Sequence, residues 1–161
     1  MLKKVRIKIV TDRVESKGSL FEGSGVTARK KGAEPEHLEL VLEGRYHDDG
    51  VRVSIGYTEG EMSGMEGSKT TISYQKNEPA LVTMMRTGTV KTALVFERGR
   101  RHHCVYQTPI MPFEVAVHTA EVQNALESEG RLVLDYTVEL KGAAAEHTHL
   151  VLTLLPAFDH P

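Results

Sequence analysis

Residues Arg131–Leu140 read RLVLDYTVEL, and this stretch decides the fold class. Its side chains alternate: Leu132, Leu134, Tyr136, Val138 and Leu140 fall on one face, and Arg131, Asp135 and Glu139 on the other. A period of two puts one face on a core and the other in water, whereas an amphipathic helix repeats every 3.6 residues. The stretch therefore predicts a half-buried antiparallel strand.

The same alternation recurs along most of the chain. It is clear in VRIKIV (5–10), LELVLEGRY (38–46), VRVSIGYTE (51–59), TTISY (70–74) and HTHLVLTLL (147–155). Turn sequences such as HDDG (47–50), KNEP (76–79), ERGR (97–100) and ESEG (127–130) separate the runs. About ten such runs predict an all-β protein, an antiparallel up-and-down β-barrel of about eight to ten strands, because closure removes exposed sheet edges.

Two segments interrupt this rhythm within what we predict to be a single barrel domain over residues 1–161. Residues 16–36, SKGSLFEGSGVTARKKGAEPE, are rich in glycine and charge, which predicts a long loop, an extra hairpin or a lid. In FEVAVHTAEVQNAL (113–126) the apolar parity shifts by one residue, which predicts a β-bulge. A short helix over residues 120–128 is the competing interpretation.

Composition excludes several classes of partner. The formal net charge is -2, so no overall attraction to nucleic acid is expected. No apolar run is long enough for a signal peptide or a membrane span, and we expect no membrane partner. The single cysteine, Cys104, excludes an intramolecular disulfide and fits a reducing compartment. We therefore expect a cytoplasmic protein.

The stretch GMEGSKTTI (64–72) looks like a phosphate-binding loop but departs from it in two ways. Ser68 separates Gly67 from Lys69, whereas the nucleotide motif needs glycine directly before lysine. The residues that follow are β-branched and alternate, so they predict a strand and not the helix whose N-terminus would hold phosphate. We expect no nucleotide site here.

Four stretches together resemble a known family. GSKTTI (67–72), MRTGTVK (85–91), YQTP (106–109) and GRLVLDYTVEL (130–140) occur in this order in a strand-rich chain that resembles the YwiB-like family of bacterial proteins over residues 5–154. The resemblance implies a lipocalin-like (calycin-type) β-barrel of unknown function in the bacterial cytoplasm, and it brings no catalytic residues. The chain has no tryptophan, so the Gly-x-Trp motif of true lipocalins is absent and their usual ligands are not implied.

The tyrosines are the first candidates for a binding site. By strand parity all five point into the barrel: Tyr46, Tyr57, Tyr74, Tyr106 and Tyr136. A small barrel either fills itself with side chains or holds one small ligand. The phenol groups are therefore either handles that orient a ligand or ordinary core aromatics with their hydroxyls near the rim.

Three charged residues are placed near these tyrosines. Glu59 continues the parity of Tyr57, and Arg86 or Lys69 could supply the cation that a buried carboxylate requires. We predict a ligand-binding cluster of Tyr57, Glu59, Lys69, Arg86, Tyr106 and Tyr136, with the cation holding an anionic head group. The competing interpretation is a structural ion pair or a solvated rim.

The histidines do not predict a metal site. His147 and His149 share the outer face of their strand, whereas His102 and Cys104 fall inward with Tyr106, so the sets face different ways. A zinc site needs three or four ligands converging on one point. We expect no metal and no cofactor, and no nucleophile at Cys104, because its neighbouring histidine alternates to the other face.

Two functions from different classes remain. The first is binding of a small, partly apolar or anionic ligand inside the barrel. The second is protein–protein interaction or homodimerisation by a barrel with a filled core and no ligand. An enzyme ranks third, because no convergent acid/base set can be recognised. An interior cavity of some hundreds of Å³ lined by the tyrosines would favour the first.

Overall fold

The computed structural model describes residues 2–17, 35–58, 68–88, 90–140 and 144–155. These residues form ten β-strands and a single-turn helix. The strands are β1 (Leu2–Lys17), β2 (Glu36–Asp48), β3 (Arg52–Thr58), β4 (Lys69–Gln75), β5 (Glu78–Thr87), β6 (Lys91–Glu97), β7 (Arg101–Gln107), β8 (Pro112–Ala125), β9 (Arg131–Leu140) and β10 (Ala144–Leu155), and the helix is α1 (Leu126–Glu129).

The ten strands close into one barrel. Each strand lies antiparallel to its neighbours in sequence, and β1 closes the barrel on β10. The closing pair is long, with a continuous register from Arg6 opposite Leu155 to Lys17 opposite Ala144. The prediction of an all-β, up-and-down antiparallel barrel of eight to ten strands is confirmed, with ten strands.

Helix makes up little of the described chain. α1 is four residues long, and no helix in the described ranges is long and apolar enough to cross a bilayer.

The two ends of the barrel differ in their connections. We call the end where β2–β3, β4–β5, β6–β7 and β8–β9 are joined the turn end, and the opposite end, where β1, β3, β5, β7 and β9 finish, the mouth end. The turns at the turn end use the left-handed backbone at Gly50 and Gly99, with φ of 93° and 77°. Glycine adopts this conformation without the penalty that a side chain would add.

The half of the barrel next to the turn end is filled by apolar side chains. Its fully buried members include Ile7, Val53, Ile55, Ile72, Val82, Phe96, Leu132, Leu134 and Leu152. The ring of Phe96 lies 4.5 Å from that of Tyr136, centroid to centroid, at 51° between planes. This tilted aromatic pair is a favourable core contact, and Tyr136 lies at the upper limit of the packed half.

The structure resolves the two interruptions differently. The β8–β9 register shifts between Thr119 and Glu121, which confirms the predicted bulge, and α1 begins only at Leu126. Both interpretations of residues 120–128 therefore hold in part. Of the predicted 16–36 loop, residues 16–17 end β1 and Glu36 begins β2, while residues 18–34 lie outside the described residues.

Candidate ligand-binding cavity

An interior cavity of about 290 Å³ lies in the half of the barrel next to the mouth end. Three of its polar residues, Tyr57, Arg86 and Tyr106, are each the last but one residue of a strand that runs to the mouth end. Below them lie apolar side chains of the cavity floor: Ile9, Leu40, Met84, Leu94 and Leu150. The cavity is therefore polar towards the mouth and apolar towards the packed core.

Four of the six residues predicted for the site line this cavity together: Tyr57, Arg86, Tyr106 and Tyr136. Glu59, the predicted carboxylate, lies outside the described residues. Lys69 is exposed and lines a separate groove on the outer wall of the barrel, beside Gly56 and Thr71. The alternation of β4 explains this, because Thr70 is the buried neighbour and Lys69 must point the other way.

Polar residues on five adjacent strands form what we call the first polar row. Each member stands directly opposite the next in the strand register: Tyr57, Thr70, Arg86, Thr92 and Tyr106, on β3 to β7. Within it Arg86 Nε donates a hydrogen bond of 3.3 Å to Thr70 Oγ1. This bond orients the guanidinium along the inner wall, so Arg86 is a positioned cation in a half-buried place.

A second polar row continues around the remaining wall. Its members also stand opposite one another in register: Thr119, Tyr136, Thr148 and Arg13, on β8, β9, β10 and β1. Arg13 and Thr148 line the cavity with Tyr136. The row therefore brings a second guanidinium to the cavity, from the strand pair that closes the barrel.

Three buried polar atoms lack a hydrogen-bond partner within the described ranges, and all belong to the two rows. They are Arg13 Nε, Thr92 Oγ1 and Thr119 Oγ1. Buried polar groups in proteins are nearly always paired, and an unpaired one costs about 1–3 kcal/mol. The rows thus hold unused hydrogen-bonding capacity, and Arg13 holds it at the cavity wall.

Glu146 brings a carboxylate to the same cavity. It is half-buried, and this burial raises the pKa of its carboxyl above the usual value, while Arg13 acts in the opposite direction. Among the described residues, the cavity lining therefore carries the guanidinium groups of Arg13 and Arg86 and the carboxyl group of Glu146.

The phenols of the cavity are shielded from water. Burial raises the pKa of Tyr136 to about 12, against a smaller lowering by Arg13. Burial likewise raises the pKa of Tyr106, which Arg86 opposes. Both phenols therefore stay protonated at neutral pH, and each can donate one hydrogen bond to an acceptor in the cavity.

The prediction from sequence missed Arg13, Thr11, Thr148 and Glu146. The signal was present, because Thr11 and Arg13 continue the parity of Ile7 and Ile9, as Thr148 and Glu146 continue that of Leu150. A polar side chain at the end of an apolar alternation is usually assigned to the solvated rim.

The histidines lie outside the cavity. His147 Nε2 and His149 Nδ1 each lie 2.9 Å from Asp135, one on each carboxylate oxygen, on the outer face as predicted. His102 Nε2 lies 3.1 Å from Glu97 Oε1. No group of three or more His, Cys, Asp or Glu in the described residues could hold a metal ion.

Cys104 is buried, and burial raises the pKa of its thiol. A thiol with a raised pKa is a poor nucleophile.

The fold and cavity define a class of protein: a closed, ten-stranded antiparallel barrel with one half packed and an interior pocket lined by arginine and tyrosine. Within this class, the chain belongs to the family described as "Domain of unknown function (DUF1934)", whose sequence profile matches residues 24–152. No curated protein matches the sequence.

A solved structure has the same architecture. The crystal structure of the YwiB protein from Bacillus subtilis is similar with a TM-score of 0.66, at 18% identity and over 96% of each chain. The family match and this likeness confirm the resemblance to the YwiB-like family. At this identity the likeness shows the fold alone.

Proposed function

We propose that the protein binds a small, partly apolar ligand with an anionic group inside the barrel. The single observation that carries this proposal is the cavity of about 290 Å³, whose wall holds Arg13, Arg86 and three tyrosines above an apolar floor. Ligand sites are typically apolar concavities with a few convergent polar groups, from about 300 Å³ upwards. The cavity lies at the lower end of that range.

The anionic group is assigned to the two polar rows. Guanidinium groups favour carboxylate and related oxyanions, because their fixed donors match two acceptor oxygens. Arg13 and Tyr136 line the same cavity, and Arg13 Nε has no hydrogen-bond partner within the described ranges. An oxyanion at this level would accept hydrogen bonds from the Arg13 guanidinium and the Tyr136 hydroxyl.

The apolar part of the ligand is assigned to the floor formed by Ile9, Met84, Leu94 and Leu150. A water molecule occupies about 30 Å³ in the liquid, so a cavity of this volume has room for about ten non-hydrogen atoms. The proposed ligand is therefore compact, with a short apolar body below one anionic group.

Two matched probes test the proposal. Benzenesulfonate and benzenesulfonamide each have about ten non-hydrogen atoms, but only the sulfonate is charged at neutral pH. We expect the sulfonate to bind in isothermal titration calorimetry, the neutral amide to bind more weakly, and Arg86→Met to weaken sulfonate binding about tenfold or more. Failure of both probes to bind at millimolar concentration would refute an anion-binding cavity.

Outer-wall variants serve as controls. Arg45→Met removes the same kind of charge from the groove outside the barrel and should leave sulfonate affinity unchanged. Lys69→Met tests the sequence-based expectation that Lys69 holds the anion, and from its place on the outer wall we expect no effect. Native mass spectrometry of the purified protein would report a retained ligand directly.

A second candidate function is self-association through an apolar tip at the mouth end. Ile110 is 87% exposed in the β7–β8 connection, with Met111 and Phe113 exposed beside it. An exposed apolar patch of this kind favours an interface. Size-exclusion chromatography with light scattering tests it, because a dimer that Ile110→Ser dissociates would support it and a monomer would exclude it.

The resemblance to the YwiB-like family also suggests a fold type and a cellular compartment. We infer that the barrel is of the lipocalin-like (calycin) type and that the protein works in the cytoplasm, a reducing compartment in which the free thiol of Cys104 persists.

A further inference from the structure

Glu146 occupies an unusual place for a carboxylate. It lies on β10, lines the cavity, and stands opposite Val138 of β9 on one side and Glu15 of β1 on the other. Two carboxylates that face each other across a strand pair repel. Glu15 is exposed at the rim, so its carboxylate stays hydrated, whereas Glu146 is half-buried.

Charged and titratable groups on five strands of the barrel interact with Glu146 or line the cavity with it. They are Arg13 and Glu15 on β1, Glu36 on β2, Arg86 on β5, Tyr106 on β7 and Tyr136 on β9. Among them Arg13 favours the ionised carboxylate, and Glu15 and Glu36 disfavour it. The described part of the chain gives Glu146 no ion pair or hydrogen bond.

Glu146 therefore shares a small cavity with the two guanidinium groups without being held by either. When it is ionised, the described lining residues include one carboxylate beside the guanidinium groups of Arg13 and Arg86, and Arg13 also lies 4.0 Å from Glu36. When it is protonated, that negative charge of the lining is removed. The ionised carboxylate of Glu146 repels an anion in the cavity at short range, whereas the protonated carboxyl group does not.

We propose that Glu146 couples ligand binding to proton uptake, so that the cavity takes up its anion together with one proton. This inference rests on the proposed function and names how that same site is regulated. The carboxyl group of Glu146 receives the proton from solvent, and no covalent bond of the ligand changes.

The sign of the effect follows from linkage. Burial already raises the pKa of Glu146, and a bound anion raises it further. Between the pKa of the free protein and that of the complex, affinity for the anion rises as pH falls, by up to about tenfold per pH unit. Above this window the affinity levels off at its low value, and below it at its high value.

Benzenesulfonate suits the test, because its sulfonate stays ionised throughout the range. Its affinity should rise at least about threefold from about pH 7.5 to about pH 5 in the wild-type protein. Glu146→Gln should bind tightly at both values with little pH dependence. Glu15→Gln, the matched change at the exposed rim, should keep a pH-dependent affinity, with the window moved to lower pH because Glu15 no longer disfavours ionised Glu146.

Proton uptake can also be measured on the unaltered protein, by calorimetry in two buffers of different ionisation enthalpy. We expect the protein to take up between zero and one proton for each benzenesulfonate that binds, with a value measurably above zero. If benzenesulfonate binds with no proton uptake, or if Glu146→Gln keeps the wild-type pH slope, the coupling is refuted while the binding function stands. If no anion binds at any pH, the proposed function fails and the coupling with it.

Discussion

Tyr74 and Glu127 fasten helix α1 across the turn end of the barrel: Tyr74 Oη donates a hydrogen bond of 3.0 Å to Glu127 Oε2. Lys76 Nζ joins them, 3.5 Å from Glu127 Oε1 and 2.8 Å from Asp48 Oδ2. Leu126, the first residue of α1, is buried in the hydrophobic core. The five tyrosines thus divide between a structural group at this end and a group in the cavity.

This division predicts different costs for the same substitution. Tyr74→Phe removes a hydrogen bond to a carboxylate and should lower the free energy of unfolding by about 1 kcal/mol. Tyr136→Phe should cost less than about 0.5 kcal/mol, because no hydrogen bond among the described residues uses its hydroxyl. Urea unfolding of both variants measures the difference. Equal costs would mean that the Tyr136 hydroxyl is structural.

The protein should lose stability in alkali as its buried tyrosines ionise on unfolding. The pKa of Tyr136 is raised to about 12 by burial, so the unfolded chain releases this proton at lower pH than the folded one. Stability is then complete below about pH 10 and falls above it, by up to about 1.4 kcal/mol per pH unit for each such tyrosine. Urea unfolding at stepped alkaline pH should show a smaller loss for Tyr136→Phe.

Gly44 should tolerate no side chain. A Cβ at Gly44 would collide with Ile7 Cδ1 and lie 2.8 Å from the carbonyl oxygen of Gly56, which cannot rotate away. Gly44→Ala should therefore lower the free energy of unfolding by about 1–3 kcal/mol. Gly56→Ala is the control, because its Cβ would meet Thr71 Oγ1 at an ordinary 3.7 Å. Thermal melts that rank the two variants in the opposite order would contradict the packing.

His37 should titrate above its ordinary range. Its ring nitrogens contact Asp12 and Glu39 on the outer face, and the hydrogen bond to Asp12 is the largest cause of its raised pKa. NMR titration should place the pKa of His37 above about 6.5, and Asp12→Asn should lower it. A His37 pKa that Asp12→Asn leaves unchanged would show that the contact does not form in solution.

The fold could be predicted from sequence because strand parity is local information. The series around Tyr136 and Ile55 alternates without interruption, and the short turns β2–β3, β4–β5, β6–β7 and β8–β9 pair successive strands. The register shift after Thr119 could also be predicted from the sequence, since one extra residue moves every later side chain to the other face.

The candidate site was only partly predictable because depth within the barrel depends on all ten strands. Parity assigned Tyr57, Arg86 and Tyr106 to the inner face, where they lie. It could not show that Arg13 stands opposite Thr148, because that register pairs residues far apart in sequence. Long-range pairing of this kind is set by closure of the whole barrel, and no short stretch contains it.

The pairing of β1 with β10 has a consequence for synthesis of the chain. One wall of the cavity comes from Arg13 on the first strand of the barrel, and the adjoining wall from Glu146 and Thr148 on its tenth strand. A chain emerging from the ribosome can form its hairpins in order, but β1 has no partner on its second edge until β10 appears. The cavity is therefore complete only once β10 has been synthesised and has paired with β1, and until then one edge of β1 keeps its backbone hydrogen-bonding groups unpaired by the barrel.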